Sequence, residues 1–309
     1  MLHRIHNPET GVHGHSIAFI REAIDALRNS GAKTVSLRTL VDAWRAGTDI
    51  DPDWVVFTLD DGFADHADMA QQAFVSMQCP VTIFLITGFL DGQCWPWDDQ
   101  LSYVIRHANE HINRVLVAEK EFALELRTLD GQSKAVEAIR NHCKTVRGLN
   151  PYEAAKALAQ QLDVQIPQKP PQHYQPIAWE RARELERSGF VEFGPHSVSH
   201  RIFSTLDESE SRIEIETSWN RVRAELRNPL PIFAWPTGRP GDFEDRDVLI
   251  ARKAGLLASV STKAGYAHRV AKDDPDSLFK LSRFSLPNEL STVLRYGSWL
   301  ERGRQLLPV

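Results

Sequence analysis

Short apolar runs of strand type alternate with amphipathic helical segments along most of this 309-residue chain. The clearest run is "CPVTIFLITG" at residues 79–88, which contains no charged residue. An uninterrupted apolar run of this kind is typical of a parallel strand that is covered on both faces. Further runs lie at 55–59, 190–193 and 232–235, with helical patterns between them. This repeated alternation predicts an α/β fold built on a parallel sheet or barrel.

The alternation is interrupted between residues 91 and 176, where the sequence is polar and mostly helical in pattern. The segment ends in the proline-rich stretch "IPQKPPQHYQP". Its helical patterns are short, so we expect them to bury their apolar sides against the main body. We therefore interpret residues 91–176 as a helical insertion within a single domain that spans residues 1–309.

The composition argues against several classes of protein. A formal net charge of −5 gives no electrostatic reason to expect a nucleic-acid partner. The chain has no run of roughly 18 apolar residues, so no transmembrane helix is predicted. The stretch "MLHRIHNPETGVHGH" lacks the apolar core of a signal peptide. This predicts a cytoplasmic protein, with export expected instead if a leader precedes the sequence.

Three widely spaced cysteines, Cys79, Cys94 and Cys143, argue against a disulfide framework and a cysteine zinc site. The charge pattern indicates no oligomeric state.

Side chains with metal-binding or catalytic chemistry follow three of the predicted strands. They are Asp60 and Asp61 after residues 55–59, His196 and His200 after residues 190–193, and Thr237 after residues 232–235. The carboxyl ends of parallel strands open on one face, so we expect these loops to meet. Histidines four residues apart would share one side of a helical turn. Two imidazoles and one carboxylate describe an open catalytic site for Zn²⁺ or Fe(II).

Each motif also has an ordinary structural explanation. An isolated "DDG" is a common turn, and an isolated HxxxH pair often lies on a surface. Their joint occurrence at predicted strand ends favours a functional site. One aspartate would bind the ion, and its neighbour would take a proton from an activated water. Zn²⁺ is the first choice of metal, and Co²⁺, Ni²⁺ and Fe²⁺ fit the same ligands. An Fe(II) oxygenase would use this ligand set as well, but it would leave the second aspartate without a task.

The motifs "FTLDDG", "HSVSH" and "FAWPTG" occur in this order, with "LHRI" near the amino terminus. They resemble motifs of the polysaccharide deacetylases, carbohydrate esterase family 4, also called the NodB-homology domain. The resemblance covers residues 1–90 and about 177–286. It implies a distorted (β/α) barrel with about seven parallel strands and a helical insertion. It also implies metal-dependent removal of an N-acetyl or N-formyl group from an amino sugar of a cell-surface polysaccharide, an exopolysaccharide or a precursor.

The resemblance implies roles for individual residues as well. Asp60 matches the general base of the family, and Asp61, His196 and His200 match its metal ligands. Thr237 occupies the position whose backbone N–H donates to the oxyanion, a role that does not depend on the side chain. The implied partners are a carbohydrate substrate and one divalent metal ion.

Two departures from the family pattern bear on the catalytic roles. Ala234 stands where many members have the arginine that orients the base, and Arg239 is our candidate replacement. Arg283 stands in place of a late histidine acid, and His268 lies in an unmatched loop. The general acid is therefore unassigned, and Asp60 would have to return its proton to the leaving amine. These departures keep a second hypothesis open, a catalytically weak carbohydrate-binding protein on the same fold.

Residues around the predicted site are candidates for substrate contacts. They are Trp235, Pro236, Arg239, Arg283 and Trp97. Trp97 and its neighbour Trp95 lie in the "CWPWDDQ" stretch of the insertion, and aromatic rings stack on sugars in many clefts. The alternative is that these two tryptophans pin the insertion to the main body.

Overall fold

A computed structural model of the chain describes residues 1–6, 12, 14–268 and 276–297. Its strands are β1 (Lys33–Thr34), β2 (Trp54–Val55), β3 (Phe57–Leu59), β4 (Val81–Leu85), β5 (Arg114–Val117), β6 (Lys120–Ala123), β7 (Val191–Pro195), β8 (Ile232–Ala234) and β9 (Ala258–Val260). Its helices are α1 (Ile17–Asn29), α2 (Leu37–Arg45), α3 (Asp65–Met69), α4 (Thr87–Leu90), α5 (Trp97–His107), α6 (Leu129–Cys143), α7 (Pro151–Gln161), α8 (Trp179–Glu186), α9 (Glu208–Glu225), α10 (Asp245–Lys253) and α11 (Leu290–Tyr296). Among these described helices, none combines the length and the apolar character needed to cross a membrane.

Several helices of the main body begin at side chains that cap helix ends. Ser16 Oγ accepts the backbone N–H of Phe19 at the start of α1, and Ser36 caps α2 in the same way. Asp207 and Glu210 form a reciprocal capping box at the start of α9. Caps of this kind satisfy N–H groups that have no partner inside the helix. They fix the residue at which each helix leaves its preceding loop.

The strands of the main body pair in parallel. β3, β4 and β7 form a three-stranded sheet in the order β3-β4-β7, while β1-β2 and β8-β9 form two-stranded sheets. Leu59 lies opposite Ile83, and Ile83 lies opposite Phe193. A parallel bridge joins Leu2 to Leu59 beside β3. The predicted α/β fold is confirmed. The described strands form separate ladders, so the closure of about seven strands into a barrel stays a prediction.

The apolar strand residues form the main core. Leu59, Ile83, Phe193 and Phe233 are almost completely buried, in one cluster with side chains of α1, α8, α9 and α10. Full burial of a large apolar side chain stabilises a fold by roughly 1.5–3 kcal/mol. This packing fixes where β3, β7 and β8 end, and it therefore positions the loops that follow them.

The insertion buries its apolar residues differently from our expectation. Besides α5, α6 and α7, it contains the antiparallel hairpin β5-β6. Leu101, Ile139 and Leu158 of the three helices are fully buried in one cluster with Val115 of the hairpin. The helices thus bury much of their apolar surface against one another and the hairpin, and less against the main body. The assignment of the chain to one domain with an insertion stays a prediction.

Candidate metal site and active centre

Asp61, His196 and His200 meet where β3 and β7 end. Oδ1 of Asp61 lies 3.4 Å from Nε2 of His196 and 3.4 Å from Nε2 of His200. The three candidate ligand atoms lie within 4.8 Å of one another, and both histidines are buried. One carboxylate oxygen and two imidazole nitrogens at this spacing fit a single divalent cation with positions left for water or substrate.

Hydrogen bonding identifies the nitrogen of His196 that is available to a metal. Its Nδ1 lies 2.7 Å from the carbonyl oxygen of Ala234. A carbonyl oxygen only accepts, so Nδ1 carries a proton, and Nε2, which faces Asp61, is the nitrogen left to bind a metal. Burial would raise the pKa of Asp61, but the neighbouring imidazoles of His196, His3 and His200 hold that pKa well below its usual range. A carboxylate oxygen and imidazole nitrogens that face one another in this way suit a cation between them.

The "HSVSH" loop is not helical, which corrects the helical turn predicted from the spacing of its histidines, and two of its residues have left-handed backbone. Ser197 has φ 66° and His200 has φ 55°. Ser197 Oγ accepts the His200 N–H at 2.9 Å. Glu214 of α9 accepts the N–H groups of Val198 and Ser199 at 2.8 and 2.9 Å. Left-handed backbone is unfavourable for residues other than glycine and persists where surrounding bonds hold it.

Asp60 adjoins Asp61 in sequence but has a different partner. Arg283 donates from its two terminal nitrogens to the two carboxylate oxygens of Asp60, each at 2.7 Å. Arg283 also donates to Thr58 Oγ1 and to the Ser261 carbonyl, each at 2.9 Å. Burial would raise the pKa of Asp60, but the Arg283 guanidinium outweighs it and lowers the pKa to about 2. Asp60 is therefore ionised and fixed by a bidentate ion pair.

This ion pair corrects two predictions about arginines. The sequence predicts a substrate contact for Arg283, but its side chain is only 7% exposed and donates to groups of the protein. Arg239 was the candidate to orient the base, but it pairs with Asp242 at 3.2 Å and is 46% exposed. The arginine partner of Asp60 thus comes from a later segment of the chain, and the role of Asp60 as a base stays a prediction.

Three further candidate substrate contacts are buried. Trp235 is fully buried, donates its Nε1–H to Ser259 Oγ at 2.7 Å, and stacks on Phe243 with ring centroids 4.5 Å apart. Pro236 is buried as well. Trp97 is 1% exposed and donates its Nε1–H to the His200 carbonyl at 3.0 Å. The rings of Trp235 and Trp97 therefore cannot stack on a sugar. The alternative for Trp97, that it pins the insertion to the main body, agrees with its contact.

Thr237 lies in the loop after β8 with φ 60°. Its carbonyl accepts the Thr262 hydroxyl at 2.5 Å. No group of the described residues accepts a hydrogen bond from the Thr237 N–H. The contact of His196 with Ala234 places this loop next to the candidate ligands. A free N–H beside the cluster suits an oxyanion donor, and that role stays a prediction.

Two polar side chains that we did not select from the sequence lie against the cluster. His3 Nδ1 is 3.6 Å from Asp61 Oδ2, and its side chain is 49% exposed. Asp98 Oδ1 is 3.9 Å from His200 Nδ1. His3 belongs to the "LHRI" motif, so the sequence carried a signal for it. Asp98 belongs to α5 of the insertion, and no local pattern places it beside His200, in the loop after β7.

Fold and site together define an α/β protein with an open carboxylate-and-two-histidine centre and a second, separately held carboxylate. The family model of polysaccharide deacetylase matches residues 48–259, and the chain belongs to this family. The match includes the two aspartates and the two histidines but ends before Arg283. Comparison with curated protein sequences finds no significant match.

Solved structures similar to this chain share its fold. The Streptococcus pyogenes deacetylase PplD in complex with acetate is 14% identical, with TM-score 0.60, and the alignment covers 96% of this chain and 95% of that chain. IcaB from Ammonifex degensii is 15% identical, with TM-score 0.58 and coverage of 96% and 94%. A de-N-acetylase from Aggregatibacter actinomycetemcomitans is 13% identical, with TM-score 0.55 and coverage of 95% and 92%. At such identities the likeness concerns the fold alone.

Proposed function

We propose that this chain is a divalent-metal-dependent hydrolase that removes an N-acetyl group from an amino sugar. One observation carries the proposal: Asp61, His196 and His200 converge on one point, while the adjacent Asp60 is held apart from them by Arg283. Separation of a ligand carboxylate from a catalytic carboxylate is what metal-assisted hydrolysis needs. Zn²⁺ is the first choice for this donor set, with Co²⁺, Ni²⁺ and Fe²⁺ as alternatives.

Each residue of the site has its own role in the proposed hydrolysis. Asp61, His196 and His200 hold the ion, which supplies Lewis acidity towards the acyl carbonyl and the attacking water. Asp60 takes a proton from that water and returns it to the leaving amine. The Thr237 N–H donates to the oxygen on which negative charge develops.

The contact between Arg283 and Asp60 favours hydrolysis over two rival hypotheses, a carbohydrate-binding protein and an Fe(II) oxygenase. A catalytically weak carbohydrate-binding protein was considered because the arginine that orients the base and the histidine acid are both missing from their usual places. Arg283 supplies the first of these functions, since it holds both oxygens of Asp60. In an Fe(II) oxygenase, neither Asp60 nor Arg283 would have a role in the reaction. Hydrolysis is therefore the function that the geometry supports best.

Family membership supports a carbohydrate substrate. Similar folds include a protein described as a de-N-acetylase and a deacetylase bound to acetate. These similarities favour an N-acetyl group over an N-formyl group. The proposed substrate is an amino sugar of a cell-surface polysaccharide, an exopolysaccharide or a precursor of either.

Acetate release from N-acetylated glucosamine oligomers, with Zn²⁺ or Co²⁺ added to purified protein, tests the proposal. Asp60→Asn should lower the rate by about 10²–10⁴-fold, the range for a general base, and should retain metal by elemental analysis. His196→Ala should lose both metal and activity. Full activity in Asp60→Asn, or an unchanged metal content in His196→Ala, would contradict the assigned roles.

A further inference from the structure

The first turn of α5, at the start of the insertion, lies directly behind the candidate ligand His200. Asp98 Oδ1 is 3.9 Å from His200 Nδ1. Both atoms are buried, and neither makes a hydrogen bond within the described part of the chain. Trp97, the residue before Asp98, donates its indole N–H to the His200 carbonyl. The insertion therefore reaches both the ring and the backbone of this histidine.

The two candidate histidine ligands differ in the support for their outer nitrogen. His196 has a carbonyl acceptor for its Nδ1 proton, at 2.7 Å on Ala234. A histidine that binds a metal through Nε2 keeps its proton on Nδ1, and that proton needs an acceptor when it is buried. For His200 the acidic group placed at Nδ1 is Asp98. A carboxylate in this position fixes the tautomer and the ring orientation of a ligand histidine.

Residues of the insertion also hold the backbone around His200 by hydrogen bonds. Tyr152 of α7 donates its hydroxyl to the Ser199 carbonyl at 2.8 Å. Trp97 holds the next carbonyl, that of His200, at 3.0 Å. His200 has the left-handed φ of 55°, a conformation that relaxes unless its surroundings hold it. Two consecutive carbonyls of the ligand loop are thus tied to two helices of the insertion.

We propose that the helical insertion is a positioning element of the metal site. In this role the carboxylate of Asp98 accepts a hydrogen bond from the Nδ1–H of His200. Trp97 holds the backbone that carries the ring. The proposal rests on the proposed metal-binding function and assigns to residues 91–176 a part in it. Asp98 and Trp97 act through His200, so they are positioning residues and not ligands.

Metal affinity measured on the full-length protein tests this proposal. Asp98→Ala should weaken Zn²⁺ binding by about 10–100-fold, the usual effect of losing a partner behind a ligand histidine, in competition with a chelator of known affinity. Trp97→Phe keeps an aromatic ring and removes the N–H, so it should weaken binding as well. The visible spectrum of the Co²⁺-loaded protein should change in both variants.

Asp99→Asn is the matched control, because Asp99 is the next residue on the same helical turn. Burial and the charge of Asp98 raise the pKa of Asp99 well above its usual range. An amide therefore resembles its neutral form, and Zn²⁺ affinity should stay unchanged. Equal affinity of Asp98→Ala and wild type would overturn the proposal, and so would an equal loss in the Asp98 and Asp99 variants.

A measurement on the wild type keeps the test valid if Asp98→Ala does not fold. Nitrogen-15 spectra of the Zn²⁺-loaded protein should show His200 protonated on Nδ1, and the signal should move in the near-isosteric Asp98→Asn. An Nδ1 signal that stays the same in Asp98→Asn overturns the role of Asp98. Failure of the wild type to bind any divalent ion would instead contradict the proposed function itself, so the two failures are distinguishable.

Discussion

Asp60 and Asp61 are neighbours in the chain, yet their carboxylates meet different partners. Asp61 faces two imidazoles, whereas Asp60 is engaged on both oxygens by Arg283. A buried carboxylate without a cationic partner has a raised pKa, because burial penalises the charged form. The charge and the orientation of Asp60 therefore depend on Arg283.

Replacement of Arg283 should impair the base more at low pH than at high pH. In Arg283→Gln the burial of Asp60 is opposed only by His196 and His3, whose effects are smaller, so its pKa should rise from about 2. Protonated Asp60 cannot accept a proton, so the acidic limb of the pH–rate profile should move to higher pH. We expect a loss of about 10²-fold in kcat/KM near pH 6 and a smaller loss near pH 9.

Arg239→Gln provides the control for this profile. Arg239 lies close in sequence to Thr237, but it pairs with Asp242 and is about half exposed. Its replacement should leave the shape of the pH–rate profile unchanged. If Arg283→Gln lowered the rate by the same factor at every pH, Arg283 would not control the ionisation of Asp60.

The aspartates and the histidines could be selected from the sequence because each pair follows a strand with a visible apolar run, and the structure brings Asp61, His196 and His200 together. Arg283 was placed wrongly for a physical reason. It follows Leu281, which reaches the sheet only through an isolated bridge to Val260. Its contact with Asp60 joins residues 223 positions apart. A long, flexible side chain on an irregular segment carries no local signal of the carboxylate that it will meet.

At the scale of elements, the hairpin β5-β6 shows where sequence patterns fail. Its two-residue turn consists of Ala118 and Glu119, with φ 45° and 65°. Such turns favour glycine and asparagine because both central residues adopt positive φ. Neither residue is typical of this turn, so the hairpin left no signal in the sequence. Without the hairpin, the short helical patterns of the insertion predict packing against the main body instead.

Asp91 ties the start of the insertion to two helices of the main body. Its carboxylate accepts the Trp179 indole N–H of α8 at 2.8 Å and pairs with Arg221 of α9 at 2.8 Å. Burial would raise the pKa of Asp91, but Arg221 and Trp179 lower it below the usual 3.8. The ionised form is thus the one that stabilises the folded state.

Asp91→Asn should therefore destabilise the protein in a pH-dependent way. Because the folded pKa is depressed, the contribution is present above pH 3.8 and is lost as pH falls through the lower, folded value. At pH 7 we expect a loss of about 1 kcal/mol in the free energy of unfolding, after allowance for partial exposure of the pair. Urea unfolding should show this difference shrinking towards pH 3.

Asp130→Asn serves as the comparison, because Asp130 forms an exposed pair with Lys134 one helical turn away. Exposed pairs of this kind contribute little, so unfolding should change by less than about 0.5 kcal/mol. A difference for Asp91→Asn that stays constant from pH 7 to pH 3 would show that the effect arises from packing and not from charge.

At the scale of the whole molecule, the candidate site joins segments that are far apart in sequence. Asp61 follows β3, and His196 and His200 follow β7, with the entire insertion between them. The α/β class could be predicted because alternating strands and helices leave a pattern along most of the chain. The contribution of the insertion to the site could not, because it depends on where α5 docks.

A cation shared by these loops should stabilise the folded chain, since the ligands come together only in the native state. A ligand present at about 100 times its Kd adds roughly 2.7 kcal/mol to the free energy of unfolding. For a chain of this size, that corresponds to a rise in Tm of roughly 5 °C. Differential scanning calorimetry with Zn²⁺ should show the rise, and a chelator should reverse it.

His196→Ala should lose the shift. Asp60→Asn should keep it, because Asp60 pairs with Arg283 and is not a proposed ligand, although loss of that ion pair should lower the Tm of the variant itself. A Zn²⁺-dependent shift that survived in His196→Ala would place the stabilising ion elsewhere in the molecule.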